Sequence, residues 1–218
     1  MLYIRYNLLL VHMRKTGGTS LEKALGESDN PLFADEQSFH SNFALLKGRV
    51  RHPSLTDKHS SLRTYRKILE PDYFKQLNIV CTTRNPWQRM ISMYFWSIQK
   101  QSGYNGEAKF DKPLFLDLIK QMIPLEGYVC PHRWHFNPLL GRLINPLSLS
   151  PVSLYLRQEH LQEDYEALCQ KLGISAATLP SLNLSKYADW RSYYDEECRD
   201  RVAWLFRHEI KRMSYVFS

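Results

Sequence analysis

The sequence contains no hydrophobic stretch long enough to cross a membrane as a helix. The apolar run near the start, Leu8–Val11, is only four residues long, whereas a membrane-spanning helix needs about 20. The same region lacks the longer apolar segment and the small-residue cleavage site of a signal peptide. We therefore expect a soluble, cytoplasmic protein without an integral membrane segment.

Cysteine is scarce, and no two cysteines form a CxxC pair. In a chain of 218 residues the four are too far apart to indicate a disulfide framework. Cys130, His132 and His135 lie within six residues of one another, but this is a weak zinc signal because Pro131 restricts the backbone between them. We expect no metal site.

Acidic residues are outnumbered by basic ones, 22 to 29, which gives a formal net charge of +7 and a pI of about 9.2. A basic excess favours anionic partners such as nucleotides, phosphates, acidic sugars or nucleic acid. The basic residues are scattered and form no recognised nucleic-acid motif. We expect no nucleic-acid partner, although a non-enzymatic basic nucleic-acid-binding module stays an alternative.

The chain shows no internal repeat, and its length suits a single domain over residues 1–218. Apolar runs alternate with segments of helical periodicity, which predicts an α/β fold with a central, mostly parallel β-sheet flanked by helices. The predicted strands are Leu8–His12, Leu77–Thr83 and Val152–Leu156. The predicted helices follow the first strand, lie within Ser60–Gln76 around Pro71, and cover Trp87–Gln99, Phe110–Ile123, Glu159–Leu172 and Tyr194–Met213.

The strongest local pattern is KTGGTS, Lys15–Ser20, which directly follows the first predicted strand and opens a helix. Glycine lets the backbone turn sharply and approach an anion closely. A helix N-terminus adds N–H groups and a partial positive charge. Thr19 and Ser20 contribute hydroxyl donors and Lys15 a cation, so we predict phosphate binding over an ordinary strand–helix turn.

This loop is not a Walker A motif, in which the lysine follows the glycines. A nucleotide kinase would also need an acidic residue for magnesium, whereas the second predicted strand ends in Thr83-Arg84. A P-loop-like nucleotide or small-molecule kinase is therefore the weaker alternative.

The loop resembles the 5′-phosphosulfate loop of sulfotransferases that use 3′-phosphoadenosine-5′-phosphosulfate (PAPS). The segment CTTRNPWQRMISMYFW, residues 81–96, resembles the 3′-phosphate motif of the same superfamily, with Arg84 and Ser92 at the matching positions. Arg84 would end a strand and Ser92 would lie about two helical turns later, so both could reach one phosphate. Ligands of α/β sheets bind outside such strand ends.

Further segments are similar to those of bacterial carbohydrate-type sulfotransferases. They are Lys58-His59 with the helix after it, residues 154–174, and the tail from Tyr193-Tyr194-Asp195 to Tyr215-Val216-Phe217. The resemblance spans most of the chain and is poor over residues 28–57 and 100–150. It implies a P-loop-like sulfotransferase fold and sulfuryl transfer from PAPS to a hydroxyl, favouring a carbohydrate acceptor, without a metal.

We assign two catalytic roles. Lys15 would stabilise charge on the leaving group, and His59 would act as general base because histidine is neutral near working pH. His12, His40 and His52 are alternative bases. The residues expected to bind PAPS are Arg14, Lys15, Thr16, Gly17, Gly18, Thr19, Ser20, Arg84, Ser92 and Lys186. A lipid-linked sugar, a small natural product or a phenol stays open as acceptor, and the sequence does not fix the oligomeric state.

Overall fold

A computed structural model describes residues 1–26, 45, 47–51, 58–60, 62–102, 110–120, 122–125, 128–131, 143–144, 152–180 and 189–218. In chain order the described elements are β1 (Leu2–Tyr3), β2 (Leu8–Val11), α1 (Gly18–Gly26), α2 (Leu62–Ile68), α3 (Pro71–Gln76), β3 (Asn78–Thr83), α4 (Pro86–Ser102), α5 (Lys112–Lys120), β4 (Met122–Leu125), β5 (Tyr128–Pro131), β6 (Leu143–Ile144), β7 (Leu154–Arg157), α6 (Leu161–Leu172), α7 (Glu196–Leu205) and α8 (Arg207–Met213). Short 3₁₀ helices cover Ile4–Tyr6, Gln158–His160 and Trp190–Tyr193.

The chain divides into two units, each with its own internal contacts. The first unit comprises Met1–Thr83 and Leu149–Leu182, and the second comprises Arg84–Ser148 and Asn183–Ser218. The assignment of residues 1–218 to one domain stays a prediction. Among the described residues, none of the helices combines the length and the apolar character that crossing a bilayer requires.

The first unit is built on a mixed four-stranded sheet in the order β1-β2-β3-β7. Strands β2 and β3 are parallel, as are β3 and β7, while the short β1 pairs antiparallel with β2. The sheet and its flanking helices confirm the predicted α/β class. The three predicted strands are present, with ends shifted by up to two residues.

Helices α1 and α6 cover one face of this sheet. Leu21 and Leu25, four residues apart on α1, are both buried, as the helical spacing predicts. They pack in one cluster with Leu8 and Leu10 of β2 and with Leu168 of α6. Helix α6 ends at Gly173, which adopts the left-handed conformation (φ +69°) expected of a helix C-terminal glycine.

The second unit combines helices α4, α5, α7 and α8 with a small antiparallel sheet in the order β4-β5-β6. Its core is rich in aromatic rings, and Tyr94 of α4 meets the rings of Phe95, Phe110 and Phe115 edge to face. Edge-to-face contact is the favoured geometry for such rings. The predicted inward faces of α4 at Met90 and Ile91 are confirmed as buried.

Three sequence predictions need correction here. The helix predicted over Phe110–Ile123 ends at Lys120, and Met122 already belongs to β4 because it pairs with β5. The segment predicted as irregular, 127–150, contains β5 and β6. The single final helix predicted over Tyr194–Met213 is two helices, α7 and α8, separated by Phe206, whose backbone (φ −108°, ψ 20°) is not helical.

Candidate phosphate-binding site

The loop between β2 and α1 has two residues in the left-handed backbone region. Gly17 has φ +80° and Lys15 has φ +63°. Glycine adopts this conformation without strain, whereas for lysine it costs roughly 1–3 kcal/mol. Strain of this kind persists where the surrounding structure imposes it, and it is concentrated at binding sites. The loop therefore holds its cation in a backbone conformation that lysine would not choose by itself.

The two glycines of the loop serve different purposes. A Cβ on Gly17 would lie 2.6 Å from Leu161 Cδ2, in addition to the strain of its positive φ. A Cβ on Gly18 would lie 2.0 Å from Cδ2 and 2.1 Å from Nε2 of the His12 ring. Gly17 thus makes the turn, as the sequence predicts, while Gly18 makes room for a histidine side chain.

Thr16 anchors the loop to the sheet. Its hydroxyl donates to the Met13 carbonyl at 2.8 Å and lies 2.6 Å from the Thr82 hydroxyl, which also accepts the Met13 N–H at 3.1 Å. A hydroxyl has one proton, so Thr82 donates to Thr16. The buried Thr16 hydroxyl is therefore used within the protein, and only its backbone fits the predicted contact to a ligand.

The N–H groups of the loop differ in whether they are already hydrogen-bonded within the protein. The Ser20 N–H donates to the Gly17 carbonyl at 3.1 Å, so it closes the first turn of α1 and does not face a ligand. Thr19 is exposed. The first N–H groups of an α-helix have no carbonyl partner within the helix, which leaves the start of α1 suited to an anion.

His59 lies beside this loop although it is 47 positions from His12 in the sequence. Its Nδ1 is 3.0 Å from the His12 carbonyl oxygen. A carbonyl only accepts, so Nδ1 carries the proton, and Nε2 holds the lone pair of the neutral ring. The preceding Lys58 pairs with Glu22 of α1, Nζ to Oε2 at 3.1 Å. The Lys58-His59 segment is thus tied to both ends of the loop.

His12 lies between His59 and the start of α1. It is 3% exposed, and its Nδ1 has no hydrogen-bond partner within the part of the chain that the structure describes. The His12 and His59 ring centroids are 4.7 Å apart, with the planes tilted by 56°. Burial, and then the charges of His59 and Lys58, lower the pKa of His12 to about 2. His12 is therefore a poor proton acceptor at neutral pH, which counts against it as the alternative base.

Of the other predicted site residues, Arg14 directly precedes the loop and is half-buried, and the rest belong to the second unit or lie outside the described residues. Arg84 Nε donates to Gln88 Oε1 at 3.3 Å, and Ser92 of α4 is buried, with 1% of its surface exposed. Their convergence on one phosphate stays a prediction. Lys186, His40 and His52 lie outside the described residues.

Two arginine–carboxylate pairs were not predicted from the sequence. At the end of β7, Arg157 binds Asp164 through Nε and Nη2 at 3.0 and 2.7 Å, which joins that strand to α6. In the second unit, Arg89 and Glu209 form a two-point pair at 2.7 and 2.8 Å, with both side chains fully buried. The apolar neighbours of Arg89 in the sequence could have indicated burial, but its partner is 120 positions away.

Within the described residues, no three histidine, cysteine or acidic side chains gather as they would around a metal ion. His132 and His135 of the weak zinc signal lie outside those residues. Comparison of the chain with models of known protein families, with curated proteins and with solved structures gave no match.

Proposed function

We propose that this protein is a sulfotransferase that moves a sulfuryl group from PAPS to a hydroxyl acceptor, with a carbohydrate as the favoured acceptor. The observation that carries the proposal is the contact between His59 and the His12 carbonyl at 3.0 Å. It brings a histidine with a defined proton position to a strained, lysine-bearing loop at a helix N-terminus. Sulfuryl transfer needs a general base for the acceptor proton and a positive charge beside the donor, and these residues would supply them.

The residues of the first unit fit the phosphosulfate end of PAPS. Lys15 supplies a cation beside the Gly17 turn, and the first turn of α1 supplies N–H groups and the positive end of the helix dipole. The His12 Nδ1 beside this loop is buried with no hydrogen-bond partner among the described residues. The resemblance assigns the 3′-phosphate to Arg84 and Ser92.

Residues of the chain would take the proton of the acceptor hydroxyl and balance the negative charge on the donor. When bound, PAPS supplies the sulfuryl group and becomes 3′-phosphoadenosine-5′-phosphate. His59 Nε2 takes the proton of the acceptor hydroxyl, since Nδ1 already donates to the His12 carbonyl. The Lys15 ammonium and the N-terminus of α1 balance the negative charge that accumulates on the 5′-phosphate side.

The acceptor class rests on charge and on the resemblance. The net charge of +7 suits an acidic glycan, because opposite charge raises the encounter rate and the local concentration of a ligand. An acceptor screen with radiolabelled PAPS, run in EDTA, identifies the hydroxyl compound that receives the label.

Calorimetry tests the donor. The protein should bind 3′-phosphoadenosine-5′-phosphate far more tightly than AMP, and ATP with Mg²⁺ should not compete. Arg84→Ala should weaken the first ligand and hardly change AMP binding, whereas Lys211→Ala, which removes one exposed positive charge, is the matched control. Equal affinity for the two nucleotides would refute the 3′-phosphate contact, and tight binding of ATP with Mg²⁺ would favour the kinase alternative.

A further inference from the structure

His12, at the end of β2, contacts both His59 and the first turn of α1. Its carbonyl accepts the His59 Nδ1 proton at 3.0 Å, and its ring lies 4.7 Å from the His59 ring, centroid to centroid. On its other side, the same ring fills the space that a Cβ at Gly18 would need. His12 therefore joins His59 to the first turn of α1.

The polar ring of His12 carries a cost that an apolar residue would not. Nδ1 is buried with no hydrogen-bond partner among the described residues, so the loss of its contact with water is not compensated. The ring gives up its positive charge on burial, since the pKa of His12 falls to about 2. A neutral ring beside His59 does not repel the charge that His59 gains when it takes a proton.

We propose that His12 is a positioning residue that fixes the plane and the tautomer of His59 so that His59 Nε2 faces the acceptor hydroxyl. The backbone carbonyl sets which nitrogen carries the proton, and the ring blocks rotation of the His59 imidazole away from that carbonyl. This role deepens the proposed sulfuryl transfer and rests on it for its catalytic meaning. The structural part, the control of the His59 tautomer, stands without it.

The decisive measurement is nuclear magnetic resonance on protein labelled with ¹⁵N-histidine, because long-range ¹H–¹⁵N correlations distinguish the two tautomers. A His59→Gln spectrum assigns His59 among the eight histidines. The wild type should show His59 with its proton on Nδ1. His12→Ala should populate both tautomers, lower kcat by about 10–100-fold, as loss of an orienting partner typically does, and leave the affinity for 3′-phosphoadenosine-5′-phosphate nearly unchanged.

Gly18→Ala tests whether the contact between the His12 ring and the start of α1 controls His59. Its new methyl group would overlap the His12 ring, so the ring must move and the His59 tautomers should mix as in His12→Ala. His12→Phe keeps a flat ring against His59, should retain the tautomer, and serves if the alanine variant does not fold. His160→Ala is the matched control, because His160 is half-exposed and pairs with Glu163.

The outcomes separate this proposal from the proposed function. A His12→Ala protein with one His59 tautomer and an unchanged kcat overturns the positioning role while the function stands. Mixed His59 tautomers in His12→Ala, together with a wild-type protein that neither binds 3′-phosphoadenosine-5′-phosphate nor uses PAPS, overturn the function. The control of His59 by His12 then stands. His12→Phe behaving like His12→Ala would show that ring contact does not orient His59.

Discussion

Among the described residues, each unit buries one basic side chain almost completely, His12 in the first and Arg89 in the second, and the two have opposite environments. In the second unit, Arg89 keeps its charge because Glu209 binds both terminal nitrogens at 2.7 and 2.8 Å, and the guanidinium lies 4.9 Å from the centre of the Phe206 ring. In the first unit, the His12 ring has no acidic partner among the residues that the structure describes, and burial lowers the pKa of His12 to about 2.

The difference distinguishes a buried pair that stabilises the fold from a buried group that lies beside the candidate site. A buried charge that is paired and hydrogen-bonded holds two elements together, here α4 and α8, and needs no ligand. A buried imidazole with an unpartnered nitrogen, beside a second histidine and a strained lysine, contributes little to folding. We therefore expect substitutions in the loop region, which is Lys15–Ser20 with His12 and His59, to affect activity, and substitutions at the Arg89–Glu209 pair to affect stability.

The largest effect should come from His59→Ala. A general base contributes about 10²–10⁴-fold to the rate, so kcat should fall by that factor while nucleotide affinity and the free energy of unfolding stay nearly constant. Lys15→Ala should lower kcat and also weaken donor binding, because its cation contacts the donor before and during the reaction. Steady-state kinetics and calorimetry measure both variants. Near-normal turnover in His59→Ala, with an unchanged fall in rate at low pH, would mean that another group takes the proton.

Glu209→Ala should have the largest effect on stability. It leaves Arg89 charged and unpaired in the core, which typically costs about 3–5 kcal/mol, measured as the free energy of unfolding in urea. The double variant Arg89→Met with Glu209→Leu should recover most of this loss, since apolar side chains of similar size avoid the unpaired charge. Lys75→Ala, in an exposed pair with Asp72, should change little. A stable Glu209→Ala protein would contradict the structural role of the pair.

The pH dependence of stability gives a smaller effect with a defined sign. Below pH 6.5 the unfolded chain protonates His12, whereas the folded protein does not until pH is about 2. The unfolded state then binds more protons, so the contribution of His12 is present above 6.5 and is lost as pH falls. The loss between pH 7 and 5.5 should be about 1 kcal/mol. His12→Phe should lack this component, and a variant of the exposed His208 should keep it.

Much of the fold followed from local patterns. The apolar runs at Leu8–Val11 and Asn78–Thr83 form neighbouring parallel strands, and Gly17 makes the predicted turn. The helical pattern within Ser60–Gln76 breaks at Pro71, as expected: α2 ends at Ile68 and Pro71 begins α3, because proline is tolerated in the first turn of a helix. The errors lie where the helical sequence pattern continues across a break between two helices, as at Phe206, or where strand pairing replaces the predicted helix, as at Met122.

The candidate site was predictable in its parts and not in its arrangement. Residue type and spacing named Lys15 and the two glycines, and the resemblance to carbohydrate-type sulfotransferases favoured His59 as the base. The sequence placed Thr16 and Ser20 among the residues that bind the donor, and the structure uses the Thr16 hydroxyl and the Ser20 N–H within the protein. Their partners are set by the path of the backbone through the loop, which residue identity does not specify.

By itself the sequence determined three strands of the main sheet, β2, β3 and β7, most of the helices and the position of the glycine turn, because hydrophobic periodicity and the backbone preferences of glycine act over a few residues. Only the tertiary structure decided that His59 donates to His12, that Gly18 exists to accommodate the His12 ring, and that Arg89 meets Glu209. Two of these contacts join residues 47 and 120 positions apart in the chain, and the approach of His12 to Gly18 depends on the path of the loop between them. The loss of charge at His12 depends on how completely packing removes water from its ring.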